Sequence, residues 1–336
     1  MREYKAYHYE LARLKEATPL MQYQKGEPFE NWQEKAREKL IELLGLPTER
    51  CEPQFQLEYE KAQGNYTEYR FTVQTEEGYV VPCHLLVPAG KVGKTPLAVC
   101  LMGHGSGMHL ALGLAKSEKD QQLLDEWPHR AMAPRAVREG RCALVIEARA
   151  FGESSDKGYG TSCTEAAKTA LLMGRTLQGE RVWDVMRVLD AVAVHFPQVD
   201  MTDIVCTGNS GGGTATFYLA CLDERITAAA PSCSICSFEG SIAAMPHCLC
   251  NHIPGIRKYF EMGDLAGLIA PRILVVAAGE KDDIFPIEST RQNFEKIQKL
   301  YDVAGAGDRC ALVIGEQGHY NYADLLWSKM HQMGVK

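Results

Sequence analysis

Apolar residues fall along this chain in two alternating rhythms. Short runs at 97–101, 143–146, 204–207, 228–231, 273–277 and 311–314 are apolar at nearly every position, as strands buried on both faces are. Segments at 182–195, 214–222, 288–301 and 322–330 repeat their apolar positions at helical spacing instead. Strand and helix in alternation predict an α/β protein with a mostly parallel central sheet and helices on both faces. Over 54–87 the rhythm changes to strict alternation. Tyr69, Phe71 and Val73 interleave with polar residues, and a second run at 80–87 follows Glu76-Glu77-Gly78, which predicts an antiparallel pair opening the sheet.

The stretch from Trp32 to Leu44 carries apolar side chains at helical spacing and closes at Gly45 and Pro47, both helix-stopping residues. This divides the chain into an N-terminal helical extension over 1–53 and a main domain over 54–336. The extension is expected to pack on the main domain. A dimerisation arm is the other reading, and it leaves a homo-oligomer open. Excursions at about 107–139, 153–179 and 234–264 interrupt the regular pattern, and specificity is expected to reside there.

Composition narrows the class. With 336 residues, 46% hydrophobic and 24% charged, the chain can bury a sizeable core. A formal net charge of −7 with dispersed basic residues offers no footprint for nucleic acid or an anionic membrane. The first ten residues lack the apolar stretch of a signal peptide, and no run approaches the ~20 apolar residues of a membrane span. A soluble, cytoplasmic protein is expected. Twelve cysteines fit that setting: Cys100, Cys142, Cys206 and Cys310 lie inside apolar runs, where a free thiol behaves as a small hydrophobe. Cys233, Cys236, His247, Cys248, Cys250 and His252 stand apart, with spacings that could chelate zinc. The second half of that group is a Cys-x-Cys crowded between histidines, which favours a reduced, packed loop over a metal centre.

Chemistry gathers where the apolar runs end. Gly208-Asn209-Ser210-Gly211-Gly212 follows one run and precedes a helical segment, the context of a nucleophile elbow. The run at 273–277 leads to Gly279-Glu280-Lys281-Asp282-Asp283, and that at 311–314 leads to Gly315-Glu316-Gln317-Gly318-His319. A serine hydroxyl needs a neutral imidazole to take its proton, and His319 suits that role. Asp282 would hold the second ring nitrogen and stabilise the imidazolium, while Asp283 suits a plain helix-capping role. The Gly211 N–H is one expected oxyanion donor, and Gly105 or Ser106 of the glycine loop at 102–107 the other. His104, Trp127 and Tyr159 are candidates for contacting a substrate, although aromatics in loops can simply pack them. Arg149 is expected to pair with a loop carboxylate. The chemistry asks for no metal and no cofactor.

The set His104-Gly105, Arg149-Ala150-Phe151-Gly152-Glu153-Ser154, Gly208-Asn209-Ser210-Gly211-Gly212-Gly213-Thr214, Asp282 and Gly318-His319 resembles the α/β-hydrolase esterases grouped with acetyl xylan esterases. Dienelactone hydrolase-like proteins are more distant relatives. Leu222-Asp223-Glu224-Arg225-Ile226 and Gly179-Glu180-Arg181-Val182-Trp183-Asp184-Val185-Met186-Arg187 are similar to the bacterial acetyl-xylan-esterase-like branch. The resemblance runs from about Phe71 to the C-terminus. It implies an α/β-hydrolase fold and serine-dependent cleavage of small or carbohydrate carboxylic esters, acetyl groups on sugars foremost, in a tight acyl pocket. Dienelactone hydrolases proper use cysteine where this chain has Ser210, which argues against that activity. A serine peptidase or amidase on the same fold is a second reading, though nothing here is long enough for the propeller such peptidases add. A catalytically silent binding protein is a third, and an intact Ser210, Asp282 and His319 counts against it.

Overall fold

The computed structural model describes residues 4–46 and 49–336, so Pro47, expected to help stop the long N-terminal helix, lies outside the described residues. Among these residues nine strands form one sheet: β1 (Gln56–Ala62), β2 (Tyr66–Glu76), β3 (Tyr79–Pro88), β4 (Thr95–Leu101), β5 (Cys142–Ile146), β6 (Val199–Asn209), β7 (Ile226–Ser232), β8 (Ile273–Gly279) and β9 (Cys310–Gly315). Their spatial order is β1-β2-β3-β5-β4-β6-β7-β8-β9. β1, β2 and β3 pair antiparallel, β3 meets β5 antiparallel, and every neighbouring pair from β5 to β9 is parallel. Each of the apolar runs lies within one of these strands. The segments with helical spacing are the helices Leu177–His195, Gly211–Leu222, Ile287–Val303 and Ala323–Gln332. Among the described residues no helix is long and apolar enough to cross a membrane.

The near-continuous apolar character of the strands has a direct cause, because alternate side chains enter two different cores. Leu97, Val99 and Leu101 of β4 join Leu144, Ile204 and Cys206 in the larger core, against Val182, Val185 and Leu189 of the helix Leu177–His195. Ala98 and Cys100 join Val145, Val205 and Val275 in the second, with Ala133, Ala136 and Trp327 from helices on the other face. β1 has no such signature: all seven of its residues are exposed, and it is held by pairing with β2 and by the Tyr59 ring edge-on to His84 of β3.

The helix Phe29–Leu44 buries Phe29, Trp32, Ala36, Leu40 and Leu44, a stripe at helical spacing that belongs to the larger core. Gly45 ends it in the left-handed conformation (φ 74°), returning its N–H to the carbonyls of the last turn. Trp32 Nε1 donates to the Met21 carbonyl at 2.8 Å, which ties the preceding segment down. The earlier helix Ala6–Glu16 buries no residue. In β5-β4-β6 the sheet grows in opposite directions on either side of β4, so the crevice beyond the carboxyl ends of β4 and β6 is the natural place for a ligand.

Leu40 has no exposed surface, so Leu40→Ala should lower stability by about 2–5 kcal/mol through lost transfer and the cavity left behind. Urea unfolding of the full chain measures this, and a loss below about 1 kcal/mol would detach the helix from the core.

Candidate active site

β6 ends at Asn209 and a helix starts at Gly211, so the chain reverses through Ser210 alone. Ser210 adopts φ 55° and ψ −121°, a region that costs an L-residue on the order of 1–3 kcal/mol and persists only where its surroundings dictate it. They do so here. The Ser210 N–H donates to the Ser232 carbonyl at the end of β7 (2.9 Å), and the Ser210 carbonyl accepts from the Thr214 N–H (2.8 Å). The turn also lies hard against β4: a Cβ on Gly212 would stand 1.9 Å from the Leu101 carbonyl oxygen. Only glycine fits there.

β8 and β9 present the other two groups. His319 Nδ1 lies 3.0 Å from Asp282 Oδ2 and 3.2 Å from Oδ1. Asp282 Oδ1 also accepts from the N–H groups of Ile284 (2.9 Å) and Phe285 (3.0 Å). Burial pushes the Asp282 carboxyl up, but the hydrogen bond and charge of His319 with the Phe285 N–H outweigh it and hold the group below its ordinary value. The carboxylate is therefore the accepting partner. Nδ1 carries the proton and Nε2 is left free to take one. The Phe285 ring stacks on the imidazole at 5.9 Å and 16°. Asp282 is buried and Asp283 exposed, but Asp283 does not cap the following helix, whose N-cap is Pro286 without a side-chain hydrogen bond.

Ser210 and His319 open into the same cavity, of about 310 Å³, whose wall includes Gly103, Arg130, Met245, His247 and Ile284. Sequence reasoning had singled out neither Arg130 nor Met245. Arg130 Nε is buried without a protein partner among the described residues, which leaves this guanidinium with donor capacity at the cavity. Burial, with repulsion from His252, His104 and His319, pushes the His247 imidazole down to about 4, so it faces the cavity uncharged at neutral pH.

Other expected residues fall elsewhere. Gly103 and His104, not Gly105 and Ser106, lie against the elbow. A Cβ on Gly103 would be 3.2 Å from Ser210 Cβ, and one on Gly211 would be 3.9 Å from the His104 amide nitrogen. Gly105 and Ser106 line a neighbouring hollow, where the Ser106 hydroxyl is hydrogen-bonded to Asp120 and His109. The loop turns sooner after β4 than its glycines suggested. Trp127 packs on Tyr320, and Tyr159 lies under Lys116 beside His109; neither lines the Ser210 cavity. Arg149 does take carboxylate partners: Asp184 at 2.7 and 2.8 Å, and Glu76. The group Cys233 to His252 does not assemble as spaced. Cys233 stands with Asp282 and His319, and Cys236 Sγ faces the Pro286 carbonyl, whereas Cys248 and Cys250 meet His104 and Cys163.

A parallel sheet flanked by helices, with serine on a strand-to-helix elbow after β6 and acid and histidine after β8 and β9, is the α/β-hydrolase fold. The chain belongs to the abhydrolase family, whose model matches residues 3–327. It is similar to the "Putative hydrolase YtaP" of Bacillus subtilis (strain 168), 25% identical over 291 residues that cover 85% of this chain and 94% of that one. It also matches the "Uncharacterized peptidase YuxL" of the same organism, 25% identical over 237 residues, which are 67% of this chain but 32% of that one. Among solved structures, a "putative acetyl xylan esterase" from Bacteroides fragilis superposes with TM-score 0.78 at 19% identity, covering 97% of this chain and 84% of that one. A glucuronoyl esterase from Solibacter usitatus gives 0.69 at 14% identity, covering 95% and 100%.

One buried acid fastens the rim of this site. Glu147, just beyond β5, accepts from the Met108 N–H at 3.0 Å and the Glu153 N–H at 3.1 Å, and so joins the starts of two excursions. Burial pushes its carboxyl from 4.5 up to about 7, against the two backbone donors that favour the charged form. An acid raised in the folded state contributes stability that is complete below 4.5 and is lost as pH rises through about 7. Urea unfolding between about pH 5 and 8 should show this decline in the wild type and a flatter profile in Glu147→Gln. Parallel profiles would remove Glu147 as its source.

Proposed function

We propose that the protein is a serine carboxylic ester hydrolase that works through an acyl-enzyme on Ser210 and deacetylates small or carbohydrate esters. The observation that carries this reading is the shared cavity: strained Ser210 and the Asp282-oriented His319 open onto one space. Ser210 Oγ attacks the ester carbonyl carbon while its proton passes to His319 Nε2. Negative charge then collects on the former carbonyl oxygen. The Gly211 N–H, which has no intrahelical acceptor at the first position of its helix, and the adjacent His104 N–H are the assigned donors to it. The C–O bond to the leaving alcohol breaks as His319 returns the proton, and water, activated by the same imidazole, releases the acid.

The substrate class is supported by the wall of the cavity. Arg130, Asn209 and His247 suit the hydroxyls of a sugar, while Met245, Pro246 and Ile284 give an apolar side for a short acyl chain. A misfit in such a pocket costs about 1–3 kcal/mol per methylene, so acetyl esters should be turned over well and octanoyl esters poorly. The similarity to a longer protein named a peptidase keeps an amide hydrolase as the second reading. Twelve free thiols, most of them buried, suit a reducing compartment, in keeping with a cytoplasmic enzyme.

Ser210→Ala should abolish labelling by a fluorophosphonate and lower turnover by about 10⁴–10⁶-fold. Asp282→Asn should cost on the order of 10⁴-fold through the wrong imidazole tautomer, with little change in Asp283→Asn. The assay is a panel of acetyl to octanoyl nitrophenyl esters beside aminoacyl anilides. Labelling that persists in Ser210→Ala would refute the nucleophile, and preference for the anilides would replace esterase by amidase.

A further inference from the structure

Next to the Ser210 cavity, four side chains from distant parts of the chain turn their ligating atoms toward one point. His104 comes from the loop after β4, Cys163 opens the helix Cys163–Leu172, and Cys248 and Cys250 come from the third excursion. His104 Nε2 and the three sulfurs all lie within 4.8 Å of one another. Nε2 is 3.4 Å from Cys250 Sγ and 3.7 Å from Cys163 Sγ, and the sulfurs of Cys248 and Cys250 are 3.2 Å apart. All three are free thiols at these separations, far beyond a sulfur–sulfur bond of about 2.05 Å. A tetrahedral zinc ion, with Zn–S near 2.3 Å and Zn–N near 2.0–2.1 Å, holds its ligand atoms roughly 3.5–3.8 Å apart. The cluster is already close to that size.

We propose that His104, Cys163, Cys248 and Cys250 form a binding site for a thiolate-preferring divalent cation, with zinc the expected occupant. A buried cation stands beside the cluster. Arg181 is 3% exposed and donates Nη2 to Cys163 Sγ at 3.3 Å. It also donates to the Arg149 carbonyl at 3.1 and 2.8 Å, lies over the Phe151 ring, and interacts with Cys250 of the same cluster. A buried guanidinium needs a counter-charge. A dication held by three thiolates and an imidazole would carry a net charge of −1, and Arg181, bonded to Cys163 Sγ, stands where it would balance that charge.

Four protein ligands fill a tetrahedral sphere, so the ion is structural and takes no part in ester chemistry. Its effect is on position. His104 Nδ1 lies where a Cβ on Gly211 would come within 3.0 Å, so a metal on Nε2 holds the 103–104 loop against the elbow. It also pins the second and third excursions to that loop. Of the group Cys233, Cys236, His247, Cys248, Cys250 and His252, only Cys248 and Cys250 belong to this cluster.

The test is metal content of the full-length chain, purified under reductant without chelator after exposure to zinc. About one zinc per chain is expected in the wild type, falling below about a tenth in Cys163→Ser and Cys250→Ser. Cys236→Ser, His252→Ala and Ser210→Ala should keep the full complement. Loss of a ligand can also unfold the chain, so metal-free wild type is titrated with cobalt as well. One equivalent should develop thiolate-to-cobalt charge-transfer absorption with tetrahedral ligand-field bands, both displaced by zinc. A wild type that retains no zinc and shows no thiolate–cobalt absorption would overturn the site. Equal loss of metal in Cys236→Ser or His252→Ala would overturn the ligand set, as would loss in His319→Ala, which would place the ion with Cys233 and Asp282.

Discussion

Everything at this site follows from how closely the turn after β6 approaches the end of β4. The Leu101 carbonyl and Gly212 leave no volume for a side chain between them. That contact places the first turn of the helix Gly211–Leu222 directly beside the loop that leaves β4, and forces the reversal to occur within one residue. Ser210 absorbs the whole change of direction, which is why it has a positive φ without being glycine. The strain is stabilised from both sides, by the Ser232 carbonyl of β7 and by the start of the helix. A looser turn would relieve Ser210 but would separate it from Gly103 and His104.

The acid and the histidine reach the same place by a different constraint. β7 lies between β6 and β8, and strands in a sheet are about 4.8 Å apart. Groups leaving β8 and β9 must therefore cross β7 to approach Ser210. Asp282 does so by folding back immediately after β8, where the N–H groups of Ile284 and Phe285 fix its carboxylate, and His319 lies over it. Cys233, at the end of β7, is the residue they cross, and its thiol is turned to the Tyr320 carbonyl. Burial and the nearby Asp282 charge push that thiol well up, so it stays neutral beside the acid.

Features written in contiguous residues were legible in the sequence. The strand runs could be read because their two-sided burial excludes polar residues. Ser210, Asp282 and His319 could be read because each directly follows such a run. What could not be read depends on where distant loops meet. β1 is exposed throughout and carries no hydrophobic signal. Gly105 or Ser106 was expected against the elbow, but Gly103 and His104 lie there, because glycines mark flexibility and not the point of closest approach. Arg130 enters the cavity from a short turn in the first excursion, which no local pattern distinguishes. The convergence of His104 with Cys163 and Cys250 spans 59 and 146 residues of sequence, so no local spacing marks it.

This contrast explains why the reaction class is better defined than the substrate. The atoms that would break an ester come from the ends of paired strands, whose relative positions the sheet dictates. The walls that would choose the ester come from the excursions, which anchor in the cores but lie outside the sheet. Glu147 bonds two of them through their backbone N–H groups, and the His104 cluster joins the other contacts within the wall. Arg130, Met245 and His247 line the Ser210 cavity from the first and third excursions. Changes in those supports would alter which ester fits while leaving Ser210, Asp282 and His319 where the sheet holds them.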